Sequence, residues 1–331
     1  MRNRKKKMSK KKKVLISVLS ILLCLVLVGG LYTYIQLNKV KSGTLSQNDS
    51  DLGINNTVEQ ELKSKDVTNI ALFGVDSREA GMDKGSRSDS IMILSIDKEH
   101  NKLKLTSIMR DMYVSVDGHG KTKITHAYAY GGPQLAVKTI NENFNMNIKD
   151  YATVDFFGLE KIINSVGGVQ IDVEKAEIPV MNNYITETSK IEKKTPDYVK
   201  NSGLQNLNGS QAVAYARIRY VGNADYERTE RQRKVLEQVI KKVTSGGITK
   251  LPSLINAMLP FVETSMSKTD ILGTGTTVLA KKITTLQQFR LPEDGLGQGE
   301  TINKVYYLVA DLNVAKAHLY KFIYEEEMPK N

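Results

Sequence analysis

The stretch Arg217–Arg233, RIRYVGNADYERTERQR, places five arginines and a glutamine within seventeen residues, and the rest of the chain is organised around it. Outside the first thirteen residues the other arginines are few. Most of them lie at Arg78, Arg87 and Arg110, whereas lysines are scattered. A guanidinium group forms rigid, paired hydrogen bonds with phosphate or carboxylate, which the point charge of lysine does not. This clustering predicts a site that binds an oxyanion.

A helix is predicted over Asp225–Val243 because apolar residues recur there at helical spacing. They form one arc of the helix: Val235, Leu236, Val239, Ile240 and Val243. Arg228 and Gln232 fall inside this arc, and Arg231 and Arg233 lie at its edges. An unpaired buried charge costs several kcal/mol, so an arginine on a core-facing stripe must be paired or bind a ligand.

The alternative interpretation of this helix is a solvent-exposed surface with ion pairs four residues apart. Such pairs are available between Glu227 and Arg231 and between Glu230 and Lys234. This interpretation explains the residues at the edges of the arc. It does not explain the polar residues inside the arc.

The net charge of +11 on 331 residues suggests a nucleic-acid partner at first sight. However, nine positive side chains lie in the first thirteen residues, namely Arg2, Arg4, Lys5 to Lys7 and Lys10 to Lys13. The remaining chain, which is long enough to bury one sizeable core, is therefore only about +2. We expect no nucleic-acid partner.

An uninterrupted apolar run, VLISVLSILLCLVLVGGL, follows the basic tail at Val14–Leu31, and no charged residue appears before Lys39. This length suits a helix that spans a bilayer. Because the lysines precede the run, we expect a cytoplasmic N-terminus, one membrane pass in the cell membrane and an extracytoplasmic C-terminal part.

A cleaved signal peptide is the alternative, but the apolar run is longer than an ordinary signal and no small-residue cleavage site follows it. A lipoprotein signal does not fit, because large apolar residues precede Cys24. Cys24 is the one cysteine of the chain and lies in the predicted anchor, which excludes disulfides and cysteine metal sites from the exported part.

The chain divides into five predicted segments: a basic tail at 1–13, a transmembrane helix at 14–35, an extracytoplasmic linker at 36–66, a catalytic core at 67–245 and a part at 246–331 that completes or extends the same domain. The linker is polar with little periodic apolar signal, so it is predicted to be a tether. Residues 175–203 are also polar and are predicted to be a surface loop.

Apolar runs predict three early strands, at Asn69–Val75, Ile91–Ile96 and Leu103–Met109, the last two joined by a hairpin turn. Helical and strand-like patterns then alternate, with helices at Gln134–Phe144, Phe156–Val166, Gln211–Ala216, Leu251–Val262, Asp270–Ile283 and Asp311–Tyr324, and strands at Tyr151–Val154, Val169–Val173, Thr285–Leu291 and Val305–Val309. This alternation predicts an α/β fold, a layered α-β-α domain with a central mixed sheet.

Charged residues follow two of the predicted strands where ligands bind in open α/β sheets, outside the carboxyl ends. Asp76 and Arg78 follow the first strand, and Arg110 and Asp111 follow the third. Asp76 could share a hard cation such as Mg²⁺ with Asp89, which lies in the intervening SRSDS stretch with Arg87. The alternative is that these aspartates only neutralise the arginines in buried ion pairs.

Several ordered motifs carry a family resemblance: Gly74 to Arg78 (GVDSR), Arg87 to Ser90 (RSDS), Ser107 to Asp111 (SIMRD), Lys123 to Ala127 (KITHA), Leu207 to Gly209 (LNG), Ala216 to Arg219 (ARIR) and Asp225 to Gln232 (DYERTERQ). In this order they resemble the LytR-CpsA-Psr family. One departure is Met109, where the family usually has proline, a residue that would fix the backbone φ angle before Arg110.

The resemblance implies a membrane-anchored transferase of Gram-positive bacteria. Such an enzyme moves an anionic glycopolymer, such as wall teichoic acid, from a polyprenyl pyrophosphate carrier to peptidoglycan through a phosphodiester bond. It also implies that Asp76 and Asp89 hold Mg²⁺. The pyrophosphate ligands that it implies are Arg87, Arg110, Arg217, Arg219, Arg228, Arg231 and Gln232. Asp76, Asp89, Arg110 and Asp111 are the catalytic candidates, and the sequence does not choose a general base among the three aspartates.

Phosphoryl transfer needs positioning and neutralised charge, which arginines and a cation supply. The lipid also needs an apolar groove, for which the residues near Val235, Val239 and Phe156 to Ile163 are candidates, although ordinary core is the simpler interpretation. Three other functions stay open. They are a polyprenyl pyrophosphate phosphatase, a DNA-binding regulator and a non-catalytic module that binds the cell wall.

Overall fold

A computed structural model describes residues 41–76, 85–219, 221–222 and 224–326. The predicted tail at 1–13 and the predicted anchor at 14–35 lie outside these ranges, as does Arg78. Within the described ranges, no helix combines the length and the apolar character needed to cross a membrane.

The strands are β1 (Lys41–Ser42), β2 (Val67–Val75), β3 (Ser88–Asp97), β4 (Lys102–Ile108), β5 (Tyr113–Val116), β6 (Gly120–Lys123), β7 (Asp150–Asp155), β8 (Val169–Val173), β9 (Gly203–Leu207), β10 (Glu263–Thr264), β11 (Thr285–Leu291), β12 (Gly297–Ile302) and β13 (Val305–Ala310). The helices are α1 (Asn56–Lys63), α2 (Thr125–Phe144), α3 (Phe156–Ser165), α4 (Ile178–Ile191), α5 (Gly209–Arg217), α6 (Ala224–Ser245), α7 (Gly247–Met258), α8 (Lys268–Ala280) and α9 (Leu312–Tyr324).

The central sheet has the strand order β1-β10-β7-β2-β3-β4-β11 among the residues described. Strands β2, β4, β7 and β11 point the same way, and β3 runs antiparallel between β2 and β4. The predicted mixed sheet and the predicted β3–β4 hairpin are therefore confirmed. The carboxyl ends of four strands share one edge, and β3 begins at that edge.

The two faces of the sheet are covered by different helices. On one face Phe73, Ile93 and Ile108 belong to the largest apolar cluster, to which α2 and α9 contribute. On the other face Ile70 and Leu103 belong to a smaller cluster, which includes residues of α6 and α8. Successive strand residues alternate between these faces, which explains why β2 and β3 carry apolar residues on both faces.

The apolar arc of α6 is buried as its spacing predicts. Val235 and Val239 are 2% and 5% exposed and lie in one cluster with Ile162 and Ile163 of α3. These residues are core, so the simpler of the two interpretations holds for them. The helix also buries three of its arginines, as described below.

Two segments predicted from their polar composition differ in the structure. The predicted surface loop at 175–203 contains α4, whose Met181 and Ile185 are fully buried. The predicted tether includes residues 41–66, which pack against the domain through the buried side chains of Leu52, Ile54 and Leu62. In both segments a few apolar residues at the right spacing outweigh the polar majority, because burial of each contributes about 1.5–3 kcal/mol.

At the edge of the sheet opposite the carboxyl ends of β2 and β4, Lys104 inserts a charge into the protein interior. This side chain has no exposed surface. Its Nζ donates to Asp97 Oδ2 at 2.8 Å and to the carbonyl of Ile323 at 2.7 Å, and it lies 2.9 Å from Glu326 Oε1. The ammonium group is therefore compensated by partners from β3 and from the end of the described chain.

Candidate active site

The carboxyl edge of the sheet brings together the two strand ends that the sequence singles out. Asp76 directly follows β2 and is partly buried. Asp89 lies where the β2–β3 register shifts, since Gly74 pairs with Ser90 and Val75 pairs with Ser88. Asp89 is thus the extra residue of a β-bulge, a feature that turns a side chain out of the regular ladder. The bulge places Asp89 beside the end of β2.

Arg110 is the centre of the charge cluster at this edge. Its Nη1 donates to Asp89 Oδ1 at 2.6 Å, and its Nε lies 3.5 Å from Asp111 Oδ2 and 3.7 Å from Asp225 Oδ2. Burial opposes the charge, but Asp89 outweighs it and raises the pKa of Arg110. The guanidinium therefore keeps its positive charge although it is largely buried.

Asp225, in the first turn of α6, joins three arginines from different elements. Besides Arg110, it accepts a hydrogen bond at 3.0 Å from Nη2 of Arg219, and its Oδ1 lies 3.2 Å from Nη2 of Arg228. Sequence reasoning did not assign Asp225 to the site. The available signal was its place in the first turn of an arginine-rich helix, where an acidic residue is normally explained by the helix dipole.

Several buried polar atoms in and next to this cluster have no hydrogen-bond partner among the described residues. Arg228 is 6% exposed, and burial lowers its pKa, which Asp225 only partly opposes. Within the described chain, Nε of Arg228, Nε of Arg110 and Oε1 of Gln232 are buried without a hydrogen-bond partner. Buried polar atoms without partners are rare and costly, so the two unpartnered guanidinium donors beside Asp225 indicate a place for an anionic ligand.

Asp111 and Lys123 extend the cluster to the two ends of the β5–β6 hairpin. Nζ of Lys123 donates to Asp111 Oδ1 at 2.6 Å. Burial acts to raise the pKa of Asp111, but Lys123 and Arg110 outweigh it, and the pKa is lowered. Lys123 lies in one of the motifs that carry the resemblance, but it was not among the predicted site residues.

Met109 stands where a proline is expected before Arg110, and it makes two contacts in the structure. Its backbone N–H donates to the carbonyl of Leu291 at 2.8 Å, a bond that proline could not make. Its side chain is 3% exposed and accepts a weak contact from the hydroxyl of Thr229. The hydrogen bond between the ends of β4 and β11 thus fixes the backbone next to Arg110.

Arg217 and Arg231 are paired with glutamates of α4 or its N-terminal cap, outside the Arg110 cluster. Arg231 Nε donates to Glu177 Oε1 at 2.7 Å, and its Nη2 donates to Glu227 at 2.8 Å. Arg217 stacks on the rings of Phe156 and Tyr184, with its Nη2 at 3.3 Å and 3.4 Å from the two carboxylate oxygens of Glu187.

The sequence could not provide these partners, because α4 had been predicted to be a loop. The Glu227–Arg231 and Glu230–Lys234 pairs of the alternative interpretation also form, both at 2.8 Å. Arg233 is buried too, and its Nε donates to Gln288 at 3.0 Å. Burial, together with Arg290, lowers the pKa of Arg233 to about 10.

Arg87 lies at the rim of the site and is exposed. Burial, and then the charge of Arg87, lower the pKa of His126. His126 Nδ1 is 2.8 Å from the hydroxyl of Thr122. This local contact indicates a structural role for His126.

An apolar row leads away from the site along the face of the sheet that α6 and α8 cover. Leu72, Leu94, Ala152 and Val154 lie on the inner strands β2, β3 and β7, yet all four are only partly buried. The strand register places them on the same face as Gly74, two residues before Asp76. Apolar residues in the middle of a sheet are normally covered, so this row is an incompletely covered apolar surface that begins next to the site.

Replacement of Glu177 with glutamine tests the Arg231 pair. Glu177 is 2% exposed, and the change leaves a buried guanidinium with Glu227 as its remaining carboxylate. We expect the free energy of unfolding in denaturant to fall by about 2 kcal/mol. Glu230→Gln is the matched control, because its pair with Lys234 is exposed, and we expect a loss below about 1 kcal/mol. Equal losses would contradict a structural role for Glu177.

Known proteins resemble this chain over most of its length. The model of the LytR_cpsA_psr family matches residues 28–321. A protein of Oceanobacillus iheyensis named polyisoprenyl-teichoic acid–peptidoglycan teichoic acid transferase TagU is 32% identical over 314 residues, which cover 91% of this chain and 90% of that protein.

Two solved structures show the same fold. A structure titled TagT bound to LI-WTA has a TM-score of 0.62 at 27% identity and covers 78% of this chain and 92% of its own. A structure of YwtF (TagT) with bound octaprenyl pyrophosphate lipid has a TM-score of 0.58 at 25% identity, with coverage of 78% and 91%. Together with the ordered motifs, these matches show that the chain belongs to the LytR-CpsA-Psr family.

Proposed function

We propose that this protein is a transferase that moves an anionic glycopolymer, wall teichoic acid or a similar polymer, from a polyprenyl pyrophosphate carrier to peptidoglycan. The observation that carries the proposal is the meeting of Arg110, Arg219 and Arg228 around Asp225, beside Asp89. Related proteins support the proposal, since one is named a teichoic acid transferase and the structure of another contains bound octaprenyl pyrophosphate lipid.

The pyrophosphate would bind where the cluster has buried donors without partners. Arg110 and Arg228 each have such a donor, and Arg219 is partly exposed beside them. Arg217 stacks on Phe156 and Tyr184 and makes only long contacts to the carboxylate of Glu187, so we propose that its guanidinium donors can also bind a ligand, whereas Arg231 is fixed by two carboxylates and supports the site. We propose that Gln232 and the exposed Arg87 complete the set.

We further propose that Asp76 and Asp89 hold Mg²⁺. The donor set fits this ion, since two carboxylates at neighbouring strand ends are hard oxygen ligands and the β-bulge turns Asp89 away from the ladder. When bound, the ion would neutralise part of the pyrophosphate charge. Asp89 also holds Arg110 at 2.6 Å, so the cation site and the arginine site share one carboxylate.

In the proposed reaction a sugar hydroxyl of peptidoglycan attacks the phosphorus that carries the glycopolymer. The bond from this phosphorus to the bridging oxygen breaks, polyprenyl phosphate leaves, and the proton of the attacking hydroxyl passes to the departing phosphate. Arg110, Arg219 and Arg228 bind the oxygens on which negative charge accumulates, and such fixed charges act mainly by lowering the transition-state energy. Asp111 is a weak proton acceptor because its pKa is lowered, so we assign it to the positioning of Arg110 and Lys123.

We also propose that the partly buried row of Leu72, Leu94, Ala152 and Val154 is the floor of a groove. The lipid chain of the donor would lie in this lipid groove. This location replaces the one near Val235 and Val239, which are core. We also propose that the N-terminal apolar run anchors the protein in the cell membrane with the site outside the cytoplasm. A reporter enzyme that is active only outside the cytoplasm, fused after residue 331, tests that topology, and an inactive but folded reporter would contradict it.

The reaction is tested with purified protein, a labelled lipid-linked glycopolymer and peptidoglycan oligomers. We expect label to become covalently linked to peptidoglycan and polyprenyl phosphate to be released in equal amount. Release of the carrier without linkage would instead indicate a phosphatase. Binding of both substrates with no release, even with Mg²⁺ added, would indicate a non-catalytic module.

Filling the groove tests where the lipid lies. Leu94→Trp places a larger side chain on the groove floor, and we expect it to weaken binding of polyprenyl pyrophosphate by about tenfold, or about 1.4 kcal/mol. Binding of inorganic pyrophosphate, which lacks the lipid, should not change. Calorimetry with both ligands measures this difference. Equal weakening of the two would contradict the location of the groove.

A further inference from the structure

Two hairpins beside the site carry an aromatic and basic surface whose tyrosines have no role in the proposed reaction above. We call it the tyrosine platform. It consists of Tyr113, Tyr306 and Tyr307 with Lys121 and Lys123. Tyr113 and Tyr307 contact each other at 4.7 Å between ring centroids, and Nζ of Lys123 lies 5.8 Å and 6.0 Å from the centroids of Tyr306 and Tyr307.

Tyr306 is the exposed member of the platform. A Cβ atom at Gly299 would lie 2.8 Å from Cε2 of Tyr306, so the glycine lets the ring lie directly on strand β12. The residue is nevertheless 51% exposed. Contacts within the hairpins account for Tyr113 and Tyr307, but they leave much of the Tyr306 ring facing solvent. The ring is therefore both supported from below and accessible from outside.

The platform is continuous with the charge cluster. The backbone N–H of Leu308, two residues after Tyr306, donates to the carbonyl of Asp111 at 2.8 Å. Lys123 contacts the Tyr306 ring and also donates to the carboxylate of Asp111 at 2.6 Å. A molecule on the ring of Tyr306 would thus lie close to Asp111 and, through it, to Arg110.

The position of the tyrosine platform relative to the lipid groove indicates which substrate the platform binds. The groove lies on β7, β2 and β3, whereas the platform belongs to the hairpins that follow β4 and β11. The two surfaces therefore approach the arginine cluster from opposite sides of the sheet edge. In phosphoryl transfer the attacking and leaving oxygens are roughly in line, so the attacking hydroxyl must enter opposite the departing polyprenyl phosphate.

We propose that the tyrosine platform binds the acceptor, the peptidoglycan glycan strand, with one sugar ring stacked on Tyr306. The apolar C–H face of a sugar packs on an aromatic ring, while its hydroxyl groups hydrogen-bond to nearby charged side chains. Lys121 and Lys123 supply such groups and would also attract the carboxylates of the attached peptides. This inference rests on the proposed transferase function and adds the place of its second substrate.

The test compares Tyr306→Ala with Tyr306→Phe and with Tyr198→Ala, a tyrosine that is 42% exposed in the segment after α4. We expect Tyr306→Ala to raise the KM for the peptidoglycan oligomer by about tenfold and to leave the KM for the lipid-linked donor unchanged. Tyr306→Phe keeps the ring and should behave as the wild type, as should Tyr198→Ala.

Direct binding of the peptidoglycan oligomer separates this inference from the proposed function. If the wild type binds the oligomer and Tyr306→Ala does not, the platform stands even if no transfer occurs. Transfer with an unchanged acceptor KM in Tyr306→Ala would overturn the platform and leave the function intact. A raised KM for the donor alone would also overturn it, because the ring would then contact the donor glycan.

Discussion

Replacing Arg110 with alanine is expected to lower the rate of glycopolymer transfer by about a thousandfold. Arg110 lies between Asp89, Asp111 and Asp225, so it holds three carboxylates in place as well as facing the proposed pyrophosphate. Its removal would leave these acidic groups unbalanced and would repel the anionic donor. Single-turnover transfer with excess enzyme measures the chemical step directly.

Lys98→Ala is the control for loss of a cation, because Lys98 pairs with Asp66 at 3.3 Å on the surface. We expect normal transfer from this variant. Arg110→Lys distinguishes charge from shape, since lysine restores the charge but not the paired hydrogen bonds, and recovery should be slight. If Arg110→Ala stays folded by circular dichroism and retains more than about a tenth of the wild-type rate, the arginine cluster is not the pyrophosphate site.

Asp89→Asn is expected to lower transfer by about a hundredfold and also to weaken Mg²⁺ binding. Asparagine keeps the size of the side chain and can still accept a hydrogen bond from Arg110, but it loses the charge that a hard cation requires. Calorimetric titration of Mg²⁺, in the presence of inorganic pyrophosphate, measures the second effect without reference to activity.

Asp111→Asn is the matched carboxylate variant, because Asp111 also faces Arg110 but is bound by Lys123. We expect its Mg²⁺ affinity to equal that of the wild type. An unchanged Mg²⁺ affinity in Asp89→Asn would mean that Asp89 serves only to position Arg110. The alternative considered for these aspartates, simple neutralisation of arginine, would then apply to it.

Much of the sheet could be predicted because a short, continuous apolar run in the sequence indicates a buried strand. The run at Asn69–Val75 is apolar on both faces and forms the predicted inner strand β2, whereas the mixed run at Thr285–Leu291 forms the predicted strand at the edge of the sheet. Helix α4 was missed for the opposite reason. Met181 and Ile185 are spaced four residues apart and Pro179 stands at the start of the helix, but polar residues surround this signal.

The arginines of the site and the neighbouring Asp89 and Asp111 could be predicted, but most of the pairs between acidic and basic side chains could not. Arginines cluster visibly in the sequence, whereas the carboxylates that partner them are distant in the chain, such as Glu177 for Arg231 and Asp89 for Arg110. Which acid meets which base depends on how α4 and the β-bulge pack, and no local spacing encodes this. The same holds for Tyr306, whose function depends on a glycine in the neighbouring strand.

The buried ammonium of Lys104 has a consequence for how the domain is completed. Its compensating groups include the carbonyl of Ile323 and the carboxylate of Glu326, which lie at the C-terminal end of the part of the chain that the structure describes. Until those residues are made, Lys104 lacks two of the three groups that bind its ammonium and keeps only the carboxylate of Asp97. A chain synthesised from its N-terminus therefore completes this buried ion-pair network only when residues 323–326 have been made, and a product truncated before α9 would bury an ammonium with one partner.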